Sequence, residues 1–207
     1  MNEMRRFLEQ LEALSWNEPN VAIRTTATLL SAVSLDHVRD LLSDWSDEAL
    51  DQCAWESHET STHFKWRLHR GTRDSFQVWL HEYKSQSLLR AGYADSVHDH
   101  RYWFASKILV GGFKQTTYRV SERDEGSFDA EEVERTSLDA GRVYIVAPDA
   151  VHSIADFEHP TLTLLVRSKA TKPFSTEIRR REGRAVHYYP LRTRIRAFLE
   201  SPRQDQR

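Results

Sequence analysis

Two histidines separated by one residue, His98 and His100, are the residues whose type and spacing most directly suggest chemistry in this sequence. They follow GYADSV in a stretch that the sequence predicts to be a β-strand. Residues i and i+2 of a strand point to the same face, so both imidazoles should leave the backbone side by side. Neighbouring imidazoles are typical metal ligands. A metal site of this kind requires a third ligand from elsewhere in the chain.

The segment GRVYIVAPDAVHSIAD, residues 141–156, offers that third ligand. It runs from Gly141 through an apolar strand to a turn containing Pro148, and then to His152 on the next strand. An antiparallel pairing would carry His152 back over the first two histidines. Three neutral imidazoles would then converge in one interior, a donor set that suits a divalent transition metal.

The elements that must position these residues change in character near residue 62. Before it, three segments space their apolar residues as helices do, and Ser34 or Asp36 is a plausible N-cap for the third. After it come short strand-like runs separated by turn-like GTRD, RDEG, DAG and REG, which predict a β-barrel or sandwich. The expected organisation is one domain with three parts: a helical region over 1–61, a barrel over 62–190, and a short helix with a polar tail over 191–207.

Composition and charge narrow the class of protein. The 207 residues carry 29 basic and 31 acidic side chains, for a formal charge of -2, which predicts no nucleic-acid partner. A single cysteine, Cys53, excludes an intramolecular disulfide and a cysteine-rich zinc site. No window approaches the apolar length of a membrane span, and no leader is evident at the N-terminus. The expectation is a cytoplasmic protein, monomeric or homodimeric, without a membrane partner.

The histidine segments resemble the two motifs of the cupin family. Gly92, His98, His100, Ala105 and Gly112 keep the spacing of G(X)5HXH(X)3-4E(X)6G, with alanine in place of the glutamate. The resemblance implies a mainly β fold, the cupin barrel (double-stranded β-helix or jelly roll), preceded by a helical region.

The second motif, roughly G(X)5-7PXGXXH(X)3N, is matched more loosely. Gly141, Pro148, Ala150, His152 and Asp156 follow its order, with one residue missing before the histidine and aspartate where asparagine is usual. The pair of motifs is more specific than either motif alone, and together they span residues 92–156.

A site with three histidines and no glutamate is similar to that of cysteine dioxygenase and other thiol dioxygenases, which use ferrous iron. SVHDH looks like the SIHDH of that family, and the order of elements agrees over about residues 35–176. The resemblance implies a mononuclear nonheme Fe²⁺ oxygenase or dioxygenase acting on a small carboxylate-bearing substrate with O₂. His98, His100 and His152 take the places of the iron ligands.

The same resemblance assigns substrate-binding residues. Arg67 takes the place of the arginine that holds the substrate carboxylate, with a one-residue gap that leaves Arg70 as an alternative. Tyr102, Thr163 and Asp156 are candidates for supporting the ligands or the reaction. Asp99 is a further candidate to accept a ring N–H, although it should point away from its neighbours.

Two positions depart from the thiol dioxygenases. The cysteine and tyrosine that form a crosslink in the animal-type enzyme correspond to Ala105 and Arg167, so that crosslink cannot form. An arginine brings a permanent charge and a planar fork suited to a carboxylate. We therefore expect cysteine to be a poor substrate, and a larger or more acidic molecule to be held by Arg167 together with Arg67 or Arg70.

Two alternatives remain open from the sequence. Three imidazoles also suit zinc, nickel or manganese, so the protein could be an isomerase, lyase or hydrolase. A metal-free cupin that binds a small ligand as a sensor is the other alternative. The remaining histidines lack the paired spacing and receive no role in this interpretation: His37, His58, His63, His69, His81, His159 and His187.

Overall fold

The structure is a computed structural model. It describes residues 2–85, 96–123, 127–180 and 182–190. Gly92 of the first motif and the C-terminal helix predicted within 191–207 lie outside the described residues.

Four helices precede the strands. They are α1 (Glu3–Glu12), α2 (Pro19–Ser31), α3 (Leu35–Ser43) and α4 (Asp47–Glu56). Ser34 caps α3 as predicted, because its side chain accepts from the backbone N–H of His37 while the His37 ring accepts from the Ser34 N–H. Helix α4 lies inside the helical region predicted over 1–61 but outside the three periodic segments; it has no buried residue, so its apolar periodicity is weak. Among the described residues, no helix is long and apolar enough to cross a membrane.

The remainder of the described chain is mainly strands. They are β1 (His58–Glu59), β2 (His63–Arg70), β3 (Phe76–Tyr83), β4 (Val97–His98), β5 (Phe104–Val110), β6 (Gly112–Glu122), β7 (Phe128–Asp139), β8 (Val143–Val146), β9 (Val151–Ala155), β10 (Thr161–Ser168), β11 (Ser175–Arg179) and β12 (Arg184–Tyr188).

The strands form two six-stranded sheets in which every described pairing is antiparallel. Sheet one has the order β1-β2-β3-β10-β5-β8, and sheet two has the order β12-β11-β4-β9-β6-β7. Within them, β3-β10-β5-β8 faces β4-β9-β6-β7, so the chain crosses repeatedly between the sheets. This is a double-sheet jelly-roll arrangement. The predicted mainly β fold with an N-terminal helical region is confirmed.

The helices cover the outer face of sheet one. Phe7 and Leu11 of α1 and Ile23 of α2 belong to one buried cluster with Phe76 and Val166 of the sheet. Apolar side chains on a strand alternate between two faces, so the outward set packs on the helices while the inward set lines the barrel. The helical layer therefore fixes the sheet that carries one wall of the interior.

Strand β7 shows why part of the sheet escaped the sequence prediction. It lies at the edge of sheet two and pairs only with β6. Most of its central side chains are exposed on both faces, so the segment FDAEEVERTSLD lacks the apolar alternation that identifies a half-buried strand. An edge strand rich in charge also avoids pairing with other chains.

The junction between helices and sheet should dominate stability, and Phe76 tests this. Its side chain is fully buried, stacks on Trp16 at 4.8 Å between ring centroids, and fills the space that a side chain at Gly71 would need. We expect Phe76→Ala to lower the free energy of unfolding by about 3–5 kcal/mol. Urea denaturation would measure the change. Trp55→Ala on exposed α4 is the control, and an equal loss in both variants would contradict this packing.

Candidate metal centre

His98 and His152 are placed opposite each other by strand pairing. Strand β4 pairs with β9 in antiparallel register, and His98 is the partner of His152. The turn before β9 is closed by a hydrogen bond from the Ala150 N–H to the Ala147 carbonyl, 3.1 Å long. The two rings lie 4.9 Å apart between centroids. Sheet two thus supplies two of the three imidazoles from neighbouring strands.

His100 joins them from just beyond the end of β4. The strand ends at His98 rather than continuing through the motif, because the next backbone N–H groups bond elsewhere: Asp99 to the Thr176 carbonyl and His100 to the Pro148 carbonyl. The ring of His100 still lies 5.0 Å from that of His98 and 5.0 Å from that of His152. The predicted same-side placement of the histidine pair is therefore present, although the strand is shorter than predicted.

Hydrogen bonds to backbone carbonyls set the tautomer of two rings. His98 Nδ1 lies 2.8 Å from the Ser96 carbonyl and His152 Nδ1 lies 3.3 Å from the Ala150 carbonyl. A carbonyl only accepts, so each Nδ1 carries the proton and each Nε2 keeps a free lone pair. Such partners orient metal-binding histidines.

The separation of the ring nitrogens fits a single ion. One ligand nitrogen from each of the three rings lies within 4.8 Å of the others, and His100 Nε2 is 3.3 Å from His152 Nε2. Two imidazoles bound to one ion at zinc-like distances have nitrogens about 3.0–3.4 Å apart. The three histidines could therefore hold a divalent metal. Among the described residues, this group contains no carboxylate.

Burial keeps the three rings neutral, the form that binds metal. Burial lowers the pKa of His152 to about 3, and repulsion from a protonated His98 lowers it in the same direction. Burial also lowers the pKa of His98, and holds that of His100 well below its usual value. Neutral ligands need not release protons on metal binding near neutral pH.

Phe104, not Ala105, occupies the inward position next to the cluster. Ala105 is fully buried on the opposite side, in the cluster beneath the helices. The Phe104 ring lies 5.0 Å from that of His100. With three residues between histidine and glutamate, the shorter spacing that the cupin motif allows, Phe104 stands where the glutamate would. Ala105, the position that the motif comparison singled out, lies away from the histidines, and Phe104 is the residue beside them.

A cavity of about 380 Å³ opens in front of the three histidines. Its wall includes the aromatic side chains Tyr83, Tyr102, Phe104 and Tyr144. The acidic side chains on it already have partners. Asp99 accepts from Lys172 Nζ at 2.5 Å and from the Thr176 N–H, and Glu177 accepts from the Tyr188 hydroxyl. The cavity is large enough for a small molecule and is mostly aromatic around the metal-binding nitrogens.

A second cavity of about 310 Å³ shares His100 and Tyr102 with the first. Its lining includes the cations Lys65, Arg101 and Arg167, and no acidic side chain among the described residues that form it. Arg167 donates to Gln77 Oε1 from Nε at 3.1 Å and from a terminal nitrogen at 2.5 Å. Its guanidinium also lies 4.5 Å from the centroid of the Tyr102 ring. This cavity is an electropositive pocket beside the candidate metal ligands.

The other two predicted substrate arginines lie outside the lining of both cavities. Arg67 donates from Nε to Glu56 of α4 at 2.8 Å and stacks on Trp79 at 5.7 Å, so its charge is already neutralised. Arg70 is exposed and its Nε lies 3.7 Å from Asp74. A substrate role for either arginine stays a prediction, and the geometry favours Lys65, two residues before Arg67, in that position.

The remaining candidates are dispersed. Tyr102 lines both cavities, and its ring lies 5.6 Å from that of His100. Thr163 is fully buried in β10 but lines neither cavity. Asp156 is exposed and pairs with Lys114 at 2.9 Å. Asp99 accepts from Lys172 and from the Thr176 N–H, and the ring protons of His98 and His152 go to backbone carbonyls instead.

Several residues that line the cavities were given no role in the sequence interpretation. Lys65, His63 and His81 line the first cavity, and Lys65 and His81 also line the second. His63 and Lys65 alternate along β2, and His81 lies on β3 opposite Lys65. The alternation of polar residues along β2 indicated that one face of the strand is polar. The sequence could not tell whether that face is solvated or faces the barrel interior.

The two histidines in this wall predict an acid-sensitive fold. Burial lowers the pKa of His63 and of His81 well below the usual value. Below about pH 6.5 the unfolded chain binds protons that the folded chain does not, so the free energy of unfolding falls as pH falls. Each histidine should contribute a loss of up to about 2 kcal/mol between pH 7 and pH 5.

Urea denaturation of the metal-free protein at the two pH values would measure this loss. His81→Leu should reduce the loss by the share of one histidine. An unchanged pH dependence in that variant would show that His81 titrates normally.

Two comparisons with known proteins found no match. No protein-family model matches the sequence. No curated protein matches it either.

Several solved structures match part of the chain at low similarity. One comes from the crystal structures of the DMSP lyases RdDddP and RnDddQII, with 15% identity over 52% of this chain and a TM-score of 0.34; the match spans 48% of that chain, about half its length. KdgF from Halomonas sp. has 12% identity, a TM-score of 0.38, and coverage of 54% of this chain and 85% of its own. An RmlC-like cupin from Shewanella frigidimarina has 16% identity, a TM-score of 0.36, and coverage of 56% and 85%. The described part of the chain is a double-sheet jelly roll with three histidines that could hold a metal.

Proposed function

We propose that this protein is a mononuclear nonheme Fe²⁺ oxygenase that acts with O₂ on a small carboxylate-bearing molecule. The observation that carries the proposal is a group of three imidazoles without a carboxylate, one buried and two half-buried, next to a pocket lined by cations. The resemblance of SVHDH, which contains two of these histidines, to the thiol dioxygenases is a second support.

The donor set bears on the choice of chemistry. His98, His100 and His152 add no negative charge, so an ion held by them keeps its full double positive charge. When bound there, Fe²⁺ would supply open coordination positions for an anionic substrate and for dioxygen. The backbone carbonyls of Ser96 and Ala150 hold two of the rings with Nε2 directed at the ion site.

The cations define the substrate class. Lys65 has no ion pair within the described part of the chain, and Arg167 contacts a neutral amide and aromatic faces. Burial lowers the pKa of Arg167, because the guanidinium loses water without gaining a carboxylate partner. A buried cation is costly without an anion, so a substrate carboxylate would stabilise both the complex and the pocket.

Aromatic side chains complete the site. Phe104 packs against His100 and His152, at 5.0 and 6.5 Å between ring centroids, and fills the place of the missing carboxylate. Tyr102 lies between His100 and Arg167. These rings give the space between the three histidines and the cations a partly apolar wall, and electrostatic interactions are stronger beside apolar surface than in bulk water.

Anaerobic purification followed by elemental analysis and oxygen-uptake measurements tests the proposal. We expect about one iron per chain and oxygen consumption with at least one member of a panel of thiols, amino acids and small carboxylates. Stoichiometric zinc, nickel or manganese without oxygen uptake would support the isomerase, lyase or hydrolase alternative. Absence of any stoichiometric metal would support a ligand-binding sensor and contradict the proposal.

A further inference from the structure

His81 stands where the two cavities meet. It lines both of them, as do Lys65, His100 and Tyr102, so it faces the space between the candidate metal ligands and the cationic pocket. Its side chain is buried, with 7% of its surface exposed. In the described part of the chain, no hydrogen bond is formed by its ring nitrogens. No His81 nitrogen is among the fully enclosed, unpaired side-chain atoms of the described residues, so its ring nitrogens are reached from the cavities that His81 lines.

The ring of His81 is held in position by its neighbours. It packs on His63 at 4.5 Å between centroids and on Tyr83 at 6.4 Å. His63 is itself anchored through Nδ1, which lies 2.7 Å from the Thr62 hydroxyl. The ring of His81 is therefore oriented by packing while its own nitrogens are left for another molecule.

Lys65 lies directly across the strand pair from His81. The two residues are register partners on β2 and β3, and side chains in such pairs begin about 5 Å apart. A molecule whose carboxylate is held by Lys65 would present its next two or three atoms to His81. A neutral imidazole can donate one hydrogen bond and accept another, which suits a hydroxyl group better than a charged group or a methyl group.

We infer that His81 is a specificity-determining residue that binds a hydroxyl group close to the carboxylate of the ligand, so that the site prefers hydroxycarboxylates. The inference rests on the proposed function for the carboxylate-binding role of Lys65. Burial holds the pKa of His81 well below its usual value, which keeps the ring neutral at physiological pH.

Titration calorimetry with two matched acids tests this inference. Propionate and 3-hydroxypropionate would be titrated into the metal-loaded protein without oxygen, so that binding is measured separately from turnover. We expect the wild type to bind 3-hydroxypropionate about five- to tenfold more tightly, the contribution of about one neutral hydrogen bond. His81→Leu should bind both acids with equal affinity, at the level of propionate in the wild type.

Two variants control for structural damage. His81→Gln keeps a donor and an acceptor and should retain most of the preference. His69→Leu removes a histidine that pairs with Glu12 outside the cavities and should behave as the wild type.

Equal affinity of the wild type for the two acids, or a preference that survives in His81→Leu, would overturn the inference. Failure of the proposed function is distinguishable, because it would appear as absent oxygen uptake and would leave the binding preference unchanged.

Discussion

His152→Ala is expected to lose nearly all bound metal and all oxygen uptake. The His152 ring lies 4.9 Å from that of His98, and His152 Nε2 lies 3.3 Å from His100 Nε2. With it removed, two neutral nitrogens remain. Loss of a residue that only orients a metal ligand costs roughly 10–100-fold in affinity, so loss of a ligand should cost more. Chelator competition would give the change in affinity, and elemental analysis would give the metal content.

Alanine at His98 or His100 should have a similar effect, because the three rings act on one ion. His187→Ala, at an exposed position, is the matched control and should retain one equivalent. Unchanged thermal stability of the metal-free variants would show that the loss of metal is local. Wild-type metal content in the triple alanine variant would contradict the site.

Arg167→Gln and Lys65→Met are expected to raise the Michaelis constant for the true substrate by about 13- to 160-fold each. Removal of a charged hydrogen bond costs about 1.5–3 kcal/mol, which corresponds to that factor. Glutamine at 167 keeps polarity near Gln77 and removes only the charge. Steady-state oxygen uptake at varied substrate concentration would measure the change, and the turnover number should change less than the Michaelis constant.

Arg67→Gln and Arg70→Gln distinguish this arrangement from the carboxylate clamp that the family resemblance implies. Arg67 is paired with Glu56 and Arg70 is exposed, so neither change should raise the Michaelis constant as much as Lys65→Met does. A large increase for Arg67→Gln alone would restore the clamp predicted from the sequence. If the wild type oxidised free cysteine efficiently, and Arg167→Gln did so equally well, Arg167 would have no role in substrate choice.

The parts of the fold that the sequence predicted are those with a local physical signal. The spacing of His98, His100 and His152 marked the two strands, β4 and β9, that pair within sheet two, and apolar alternation identified most of the inner strands. Strand β7 was missed because an edge strand has no buried face, and α4 because it buries none of its side chains. Neither element has the periodic burial of apolar side chains on which a sequence prediction depends.

The substrate pocket was harder to predict because it depends on which way a polar strand faces. In β2 the sequence favoured Arg67 and Arg70, yet the side chain that reaches the cavity is Lys65. Two tertiary facts decide this: Glu56 from the unpredicted α4 neutralises Arg67, and the register with β3 shifts between Arg67 and His69. Neither fact can be read from the residues of β2 alone.

X-ray absorption spectroscopy at the iron edge, on iron-loaded protein prepared without oxygen, tests the central claim most directly. We expect three imidazole nitrogens at about 2.0–2.3 Å from the iron, a range slightly wider than that of zinc–imidazole bonds, and no protein carboxylate bound to the iron. Addition of a substrate carboxylate should change the remaining, non-imidazole ligands and leave the three imidazoles in place. Fewer than three imidazoles, or a protein carboxylate bound to the iron, would contradict the three-histidine site on which the proposed oxygenase function depends.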